Sequence, residues 1–220
     1  ADVLEALGVD ITVPPEKSLE LLKSINLCFL FAQNYHIAMK YVAPVRRELG
    51  IRTIFNILGP LVNPAGANME LLGVYSEDLV EPLARVLSNL GVKNALVVFG
   101  QDGLDEISLS SATSVCEVRD GTFKSYELTP EQFGMRRCDK SELVGGTPAD
   151  NAVITRDILS GRERGAKRDA VLLNSAAAVH IARPELSIAD AVEVVREVID
   201  SGRALTRLED FARLSSGGKS

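Results

Sequence analysis

Three observations place this 220-residue chain in the α/β class, with helices covering a mostly parallel central sheet. Met69–Phe99 reads strand, helix, strand, which calls for a parallel pair joined by a right-handed crossover. Two apolar runs, Ile25–Phe31 and Asn94–Phe99, are too continuous for strands wet on one face and suit strands buried on both. The last third has helical periodicity almost throughout.

The elements follow in order. Ala1–Leu7 reads as a helix end closed by Gly8, and Pro14-Pro15 opens a helix over Glu16–Lys23. Ile25–Phe31 is the first expected strand. His36–Leu49 is helical and carries Lys40, Arg46 and Arg47. Asn56–Pro64 is rich in breakers and reads as a loop. Met69–Tyr75 is a strand. Ser76 caps a helix with the stripe Leu79, Leu83, Val86, Leu87 and Leu90, ended by Gly91. After the Asn94–Phe99 strand, Thr113–Arg119 and Phe123–Leu128 form a hairpin turned at Asp120-Gly121. Helices follow over Pro148–Ser160, Arg168–Arg183, a stripe of Ile188, Ala191, Val192, Val195 and Ile199, and Ala204–Leu214. One domain over 1–214 and a flexible tail over 215–220 are expected.

Composition removes several classes. The formal charge is −6, with acidic and basic residues dispersed, so a general basic footprint for nucleic acid is missing. The longest apolar runs fall far short of the roughly 20 residues that span a membrane. Cys28, Cys116 and Cys138 are widely spaced and odd in number, without a CxxC pair. They support neither a zinc site nor a disulfide framework, and they favour a reducing cytoplasm. The chain opens on Ala1 without Met and with a helix already under way, the pattern of a cut chain.

Ligands of open parallel sheets bind beyond the carboxyl ends of strands. The loop Gly100–Glu106 has that placement and holds Asp102, Asp105 and Glu106. Adjacent Asp105 and Glu106 suit Mg²⁺, a hard cation that keeps waters and shares substrate phosphates. A solvated acidic turn is the alternative. Arg46, Arg47 and Arg52 form a basic cluster fit for a carboxylate or phosphate, or for a solvated helix face. His36 suits a ligand-facing donor or a cap, and His180 a structural role. Gly145-Gly146-Thr147 suits an anion-binding turn or a plain one. There is no nucleophile–base constellation and no dinucleotide fingerprint.

The blocks Ala1–Gly8, Val45–Leu61, Asn63-Pro64-Ala65, Gly103–Glu106 and Arg168–Ala178 together resemble the anthranilate phosphoribosyltransferase family over nearly the whole chain. A looser pattern is shared with pyrimidine nucleoside phosphorylases. The resemblance implies the C-terminal domain type of the nucleoside phosphorylase and phosphoribosyltransferase superfamily, incomplete at its N-terminus. It implies transfer of the phosphoribosyl group of phosphoribosyl pyrophosphate to the amino group of anthranilate, in tryptophan biosynthesis. It also implies Mg²⁺ on Asp105 and Glu106, the anthranilate carboxylate on Arg46, and Pro60 and His36 beside the anthranilate path. The family more often has proline where this chain has Ile37. A cytoplasmic homodimer without nucleic-acid or membrane partners is expected.

Three family segments that hold phosphates and ribose are not found: Gly-Thr-Gly-Gly-Asp, Lys-His-Gly-Asn-Arg and a Ser-rich turn. The family's leading helical domain, on which segment 36–56 would pack, is not found either. The chain alone is therefore expected to be inactive. A pyrimidine nucleoside phosphorylase-like enzyme and a non-enzymatic relative binding nucleic acid or protein are the alternatives.

Overall fold

The computed structural model describes residues 1–35, 59 and 61–217. The expected helix over 36–49 lies outside them.

The chain begins with α1 (Asp2–Ala6), α2 (Pro15–Ile25) and α3 (Ala32–Tyr35). Pro14 at the N-cap and Pro15 inside the first turn start α2, as the sequence indicates. Its end overturns one expectation: Ile25 is the last helical residue, and Asn26 caps it in the left-handed region at φ 55°. Residues 27–31 form no strand. Cys28, Phe29 and Phe31 instead pack half-buried against a helical cluster. Continuous apolarity identified burial there, but not the backbone that delivers it.

The sheet has four described strands in the order β1 (Met69–Gly73), β2 (Asn94–Gly100), β3 (Thr113–Arg119), β4 (Thr122–Leu128). β1 and β2 are parallel, with Met69 opposite Asn94. The two other pairs are antiparallel. The described sheet is thus mixed rather than mostly parallel. The reason is local: no helix lies between β2 and β3, so the chain can only turn back beside itself. Asp120 and Gly121 take φ 43° and 80° between β3 and β4, the paired positive angles of a two-residue hairpin turn.

α4 (Val80–Asn89) crosses over between β1 and β2 after a short 3₁₀ turn at Glu77–Leu79. Val80, Leu83, Ala84 and Leu87 are its buried face, packed on Val97, Cys116 and Val118 of the sheet. Leu90, expected in this stripe, stands exposed beyond the helix. α5 (Pro148–Leu159), α6 (Ala166–Ala182), α7 (Ile188–Asp200) and α8 (Arg203–Ser215) complete the chain. α6 and α7 cover the other sheet face, with Leu172, Leu173, Ala176, Ala191 and Val192 against Leu96, Val98 and Val115. A third cluster joins Leu7, Val9 and Ile11 to α2, α5 and α8. Ser215 belongs to α8, and its hydroxyl accepts from the Asp10 amide at 3.0 Å, so the helix runs one residue further than expected.

Among the described residues no helix is long and apolar enough to cross a membrane. Cys28, Cys116 and Cys138 are all free thiols, and burial pushes the pKa of each up.

Candidate functional site

The Gly100–Glu106 loop leaves the carboxyl end of β2, where a parallel sheet offers its ligand crevice. It is tied down along its length. The Gly100 amide donates to Leu104 O and the Gly103 amide to Gly100 O, both at 2.8 Å, with Gly103 at φ 88°. Lys140 Nζ donates to the Asp102 carbonyl at 2.6 Å.

The three carboxylates of the loop separate into two kinds. Asp102 turns inward and accepts from the hydroxyls of Ser108 and Ser110. Burial raises its pKa, but the Ser110 and Ser108 hydroxyls outweigh that and hold it below the usual range. Its Oδ2 is thereby anchored, while its Oδ1 is buried without a hydrogen-bond partner among the described residues. Asp105 and Glu106 are exposed, and neither carboxylate forms a hydrogen bond or ion pair with a described residue. The Glu106 carboxyl is nevertheless partly shielded from water, and this desolvation, with the charge of Asp105 second, pushes its pKa up. A pair of like charges that discourage one another is stabilised by a cation between them.

Among the described residues no group of three or more His, Cys, Asp or Glu is placed to hold a metal ion. The described residues therefore form no closed, all-protein metal cage. Two neighbouring hard-oxygen donors open to solvent nevertheless fit Mg²⁺, which binds through one or two carboxylates plus waters and substrate phosphates.

The backbone seat of Asp105 lies on β1. A Cβ at Gly73, the last residue of that strand, would stand 1.6 Å from Asp105 O, so only glycine fits. On the other side, the Asn174 side chain of α6 pairs with both backbone groups of Ile107. Sequence reasoning passed over Gly73 and Asn174 as functional positions. The available signal for Asn174 was an amide on a helix surrounded by Leu172, Leu173, Ala176 and Ala177, all fully buried.

His36, Arg46 and Pro60, the expected substrate contacts, lie outside the described residues. Tyr35 and Gly59, the chain neighbours of His36 and Pro60, line a groove of about 350 Å³, together with Leu30, Asn63, Pro64 and the β1 residues Met69, Glu70 and Leu71. Burial pushes the pKa of Glu70 up. β1 thus borders this groove and ends against the acidic loop.

Two expectations resolve as structural. Thr147 and Asp150 cap α5 reciprocally, and Asn151 pairs with both backbone groups of Gly146 at 2.9 and 3.1 Å. The Gly145-Gly146-Thr147 turn is therefore filled by its own side chains. His180 donates to Leu186 O through Nδ1 and meets Arg119 through Nε2, within a polar cluster at the opposite sheet end.

Residues 1–205 match the glycosyl transferase family, a/b domain. The chain belongs to that family. A glycosyl transferase relative from Methanobrevibacter smithii, named anthranilate phosphoribosyltransferase, is 66% identical over 96% of this chain and 63% of its own length. The anthranilate phosphoribosyltransferase of Thermus thermophilus superposes with a TM-score of 0.91 at 44% identity, over 98% of this chain and 64% of that one. The Saccharomyces cerevisiae enzyme, solved in complex with PRPP and Mg, gives a TM-score of 0.91 at 30% identity, over 98% and 62%. This glycosyl transferase chain thus spans less than two thirds of the length of each of the three.

Proposed function

We propose that this chain is the α/β portion of an anthranilate phosphoribosyltransferase. The observation that carries this reading is the exposed Asp105–Glu106 pair, unpaired among the described residues and held at a strand carboxyl end, in a chain 66% identical to a relative of that name. The likeness to an enzyme solved with PRPP and Mg supports the same substrate and metal.

In the proposed reaction the anthranilate amino nitrogen attacks C1 of the ribose. The C1–oxygen bond breaks with its electron pair on pyrophosphate, and the amine proton goes to solvent or a base. Mg²⁺, when bound, would offset the negative charge growing on pyrophosphate. Asp105 and Glu106 would hold it through their carboxylates. Arg46 would grip the anthranilate carboxylate, with His36 and Pro60 beside the ring, along the groove that Tyr35 and Gly59 border. Positioning of the two reactants supplies much of the acceleration, so no enzyme nucleophile is needed. A homodimer in the cytoplasm completes the proposal; three free thiols, Cys28, Cys116 and Cys138, support a reducing compartment.

The test is a chimaera. The stretch of the Methanobrevibacter smithii relative that this chain does not match is fused ahead of Ala1. Supplied with anthranilate, phosphoribosyl pyrophosphate and Mg²⁺, it should release pyrophosphate and form the N-ribosyl product, while the 220-residue chain alone should not. A chimaera that splits thymidine or uridine with phosphate, and leaves anthranilate untouched, would decide for the phosphorylase alternative.

A further inference from the structure

Asp105 and Glu106 sit between two fixed points. Upstream, Asp102 is bound by Ser108 and Ser110 while its carbonyl accepts from Lys140. Downstream, Ile107 is 2% exposed and lies in the core. Its amide donates to Asn174 Oδ1 at 3.0 Å, and its carbonyl accepts from Asn174 Nδ2 at 3.0 Å. The second Nδ2 hydrogen goes to Ala170 O at 3.0 Å, one turn back on α6. That third bond settles which end of the amide is nitrogen and aims the other two at Ile107. A side-chain amide thereby replaces the neighbouring strand that a buried backbone would otherwise need.

The position does not ask for polarity on packing grounds. Leu172, Leu173, Ala176 and Ala177 around it are all buried and apolar, so leucine would suit the helix. What leucine cannot do is hold both backbone groups of the residue that follows Glu106. Gly73 limits the opposite direction, because Asp105 O already occupies the space of a Cβ there.

We propose that Asn174 is the positioning residue for the Asp105–Glu106 cation site: by clamping Ile107 it fixes where the two carboxylates stand. The inference rests on the proposal that these carboxylates hold Mg²⁺. Asn174 touches neither cation nor substrate and acts only through the loop, as outer partners of metal ligands do.

Mn²⁺, a Mg²⁺ surrogate, is titrated into the 220-residue chain in the presence of pyrophosphate and followed by electron paramagnetic resonance. Asn174→Asp keeps the acceptor for the Ile107 amide but loses the donor to its carbonyl, and Asn174→Ser is too short for both. Whichever is folded by circular dichroism is read. Mn²⁺ affinity should fall about tenfold or more, and in the chimaera the Mg²⁺ activation constant should rise equally while KM for anthranilate stays put. Asp105→Asn is the reference. If it weakens Mn²⁺ binding and the folded Asn174 variants stay within twofold of the parent, the positioning role is overturned. If Asp105→Asn itself leaves Mn²⁺ binding unchanged, or the parent chain binds none, the metal reading beneath it fails instead.

Discussion

Arg168 of α6 donates to Asp200 at the end of α7 at 2.7 Å, and only 4% of its side chain is exposed. Its Nε is buried without a hydrogen-bond partner among the described residues. Arg164 lies 3.6 Å from the same Asp200 oxygen, on a side chain that remains mostly in water. The two charges are therefore unequal: Arg168 depends on Asp200, whereas Asp200 has a second cation and partial hydration.

This asymmetry predicts which half of the pair matters more. Asp200→Asn removes the hydrogen-bonded counter-charge of a buried guanidinium, leaving it only the charge of neighbouring Asp169, and should cost about 3 kcal/mol in chemical unfolding. Arg168→Met replaces the cation by an apolar chain of similar reach and should cost much less, about 1 kcal/mol or below. A larger loss for Arg168→Met than for Asp200→Asn in urea melts would refute the assignment.

Glu117 accepts from Arg119 Nε and, at 3.0 Å, from the Tyr126 hydroxyl, with His180 Nε2 3.5 Å away. Burial raises its pKa, but the hydrogen bonds of Arg119 and Tyr126 outweigh that and hold it below the usual 4.5. A depressed carboxylate contributes stability above its unfolded pKa and loses it as pH falls through the folded one. The wild-type chain should melt higher than Glu117→Gln at pH 6, and the gap should shrink progressively as pH falls below the usual 4.5. A gap that stays constant or widens toward acid would show that Glu117 is not held as its charged form.

Gly73→Ala tests the seat of the acidic loop. The added methyl would stand 1.6 Å from Asp105 O, so the loop must move away from β1. The expected loss is about 1–3 kcal/mol of stability, together with weaker Mn²⁺ binding. A variant with parental Mn²⁺ affinity would show that the carboxylates tolerate displacement.

Much of the fold was legible because periodicity and turn chemistry agree with the final packing. The Asp120-Gly121 turn fixed the hairpin, and the Val192–Val195–Ile199 stripe fixed α7. Ile25–Phe31 failed because an unbroken apolar run states that side chains are buried and says nothing of hydrogen-bond partners. There Asn26 ended a helix and the next residues packed with no strand pairing among the described residues. The acidic loop was legible as a location. Its division into an inward Asp102 and outward Asp105 and Glu106 was not, since that depends on Ser108 and Ser110 turning back on the loop. The role of Asn174 was hidden for the same reason: its partner, Ile107, lies 67 residues away in sequence.

The central claim is that Asp105 and Glu106 hold the cation of a phosphoribosyl transfer. The direct measurement is the Mg²⁺ dependence of kcat/KM in the chimaera and in its Asp105→Asn/Glu106→Gln form. The account predicts a fall of about 100-fold or more with Mg²⁺ activation lost, in a protein that still melts cooperatively. A double variant with the parent's rate and the parent's Mg²⁺ response would contradict it.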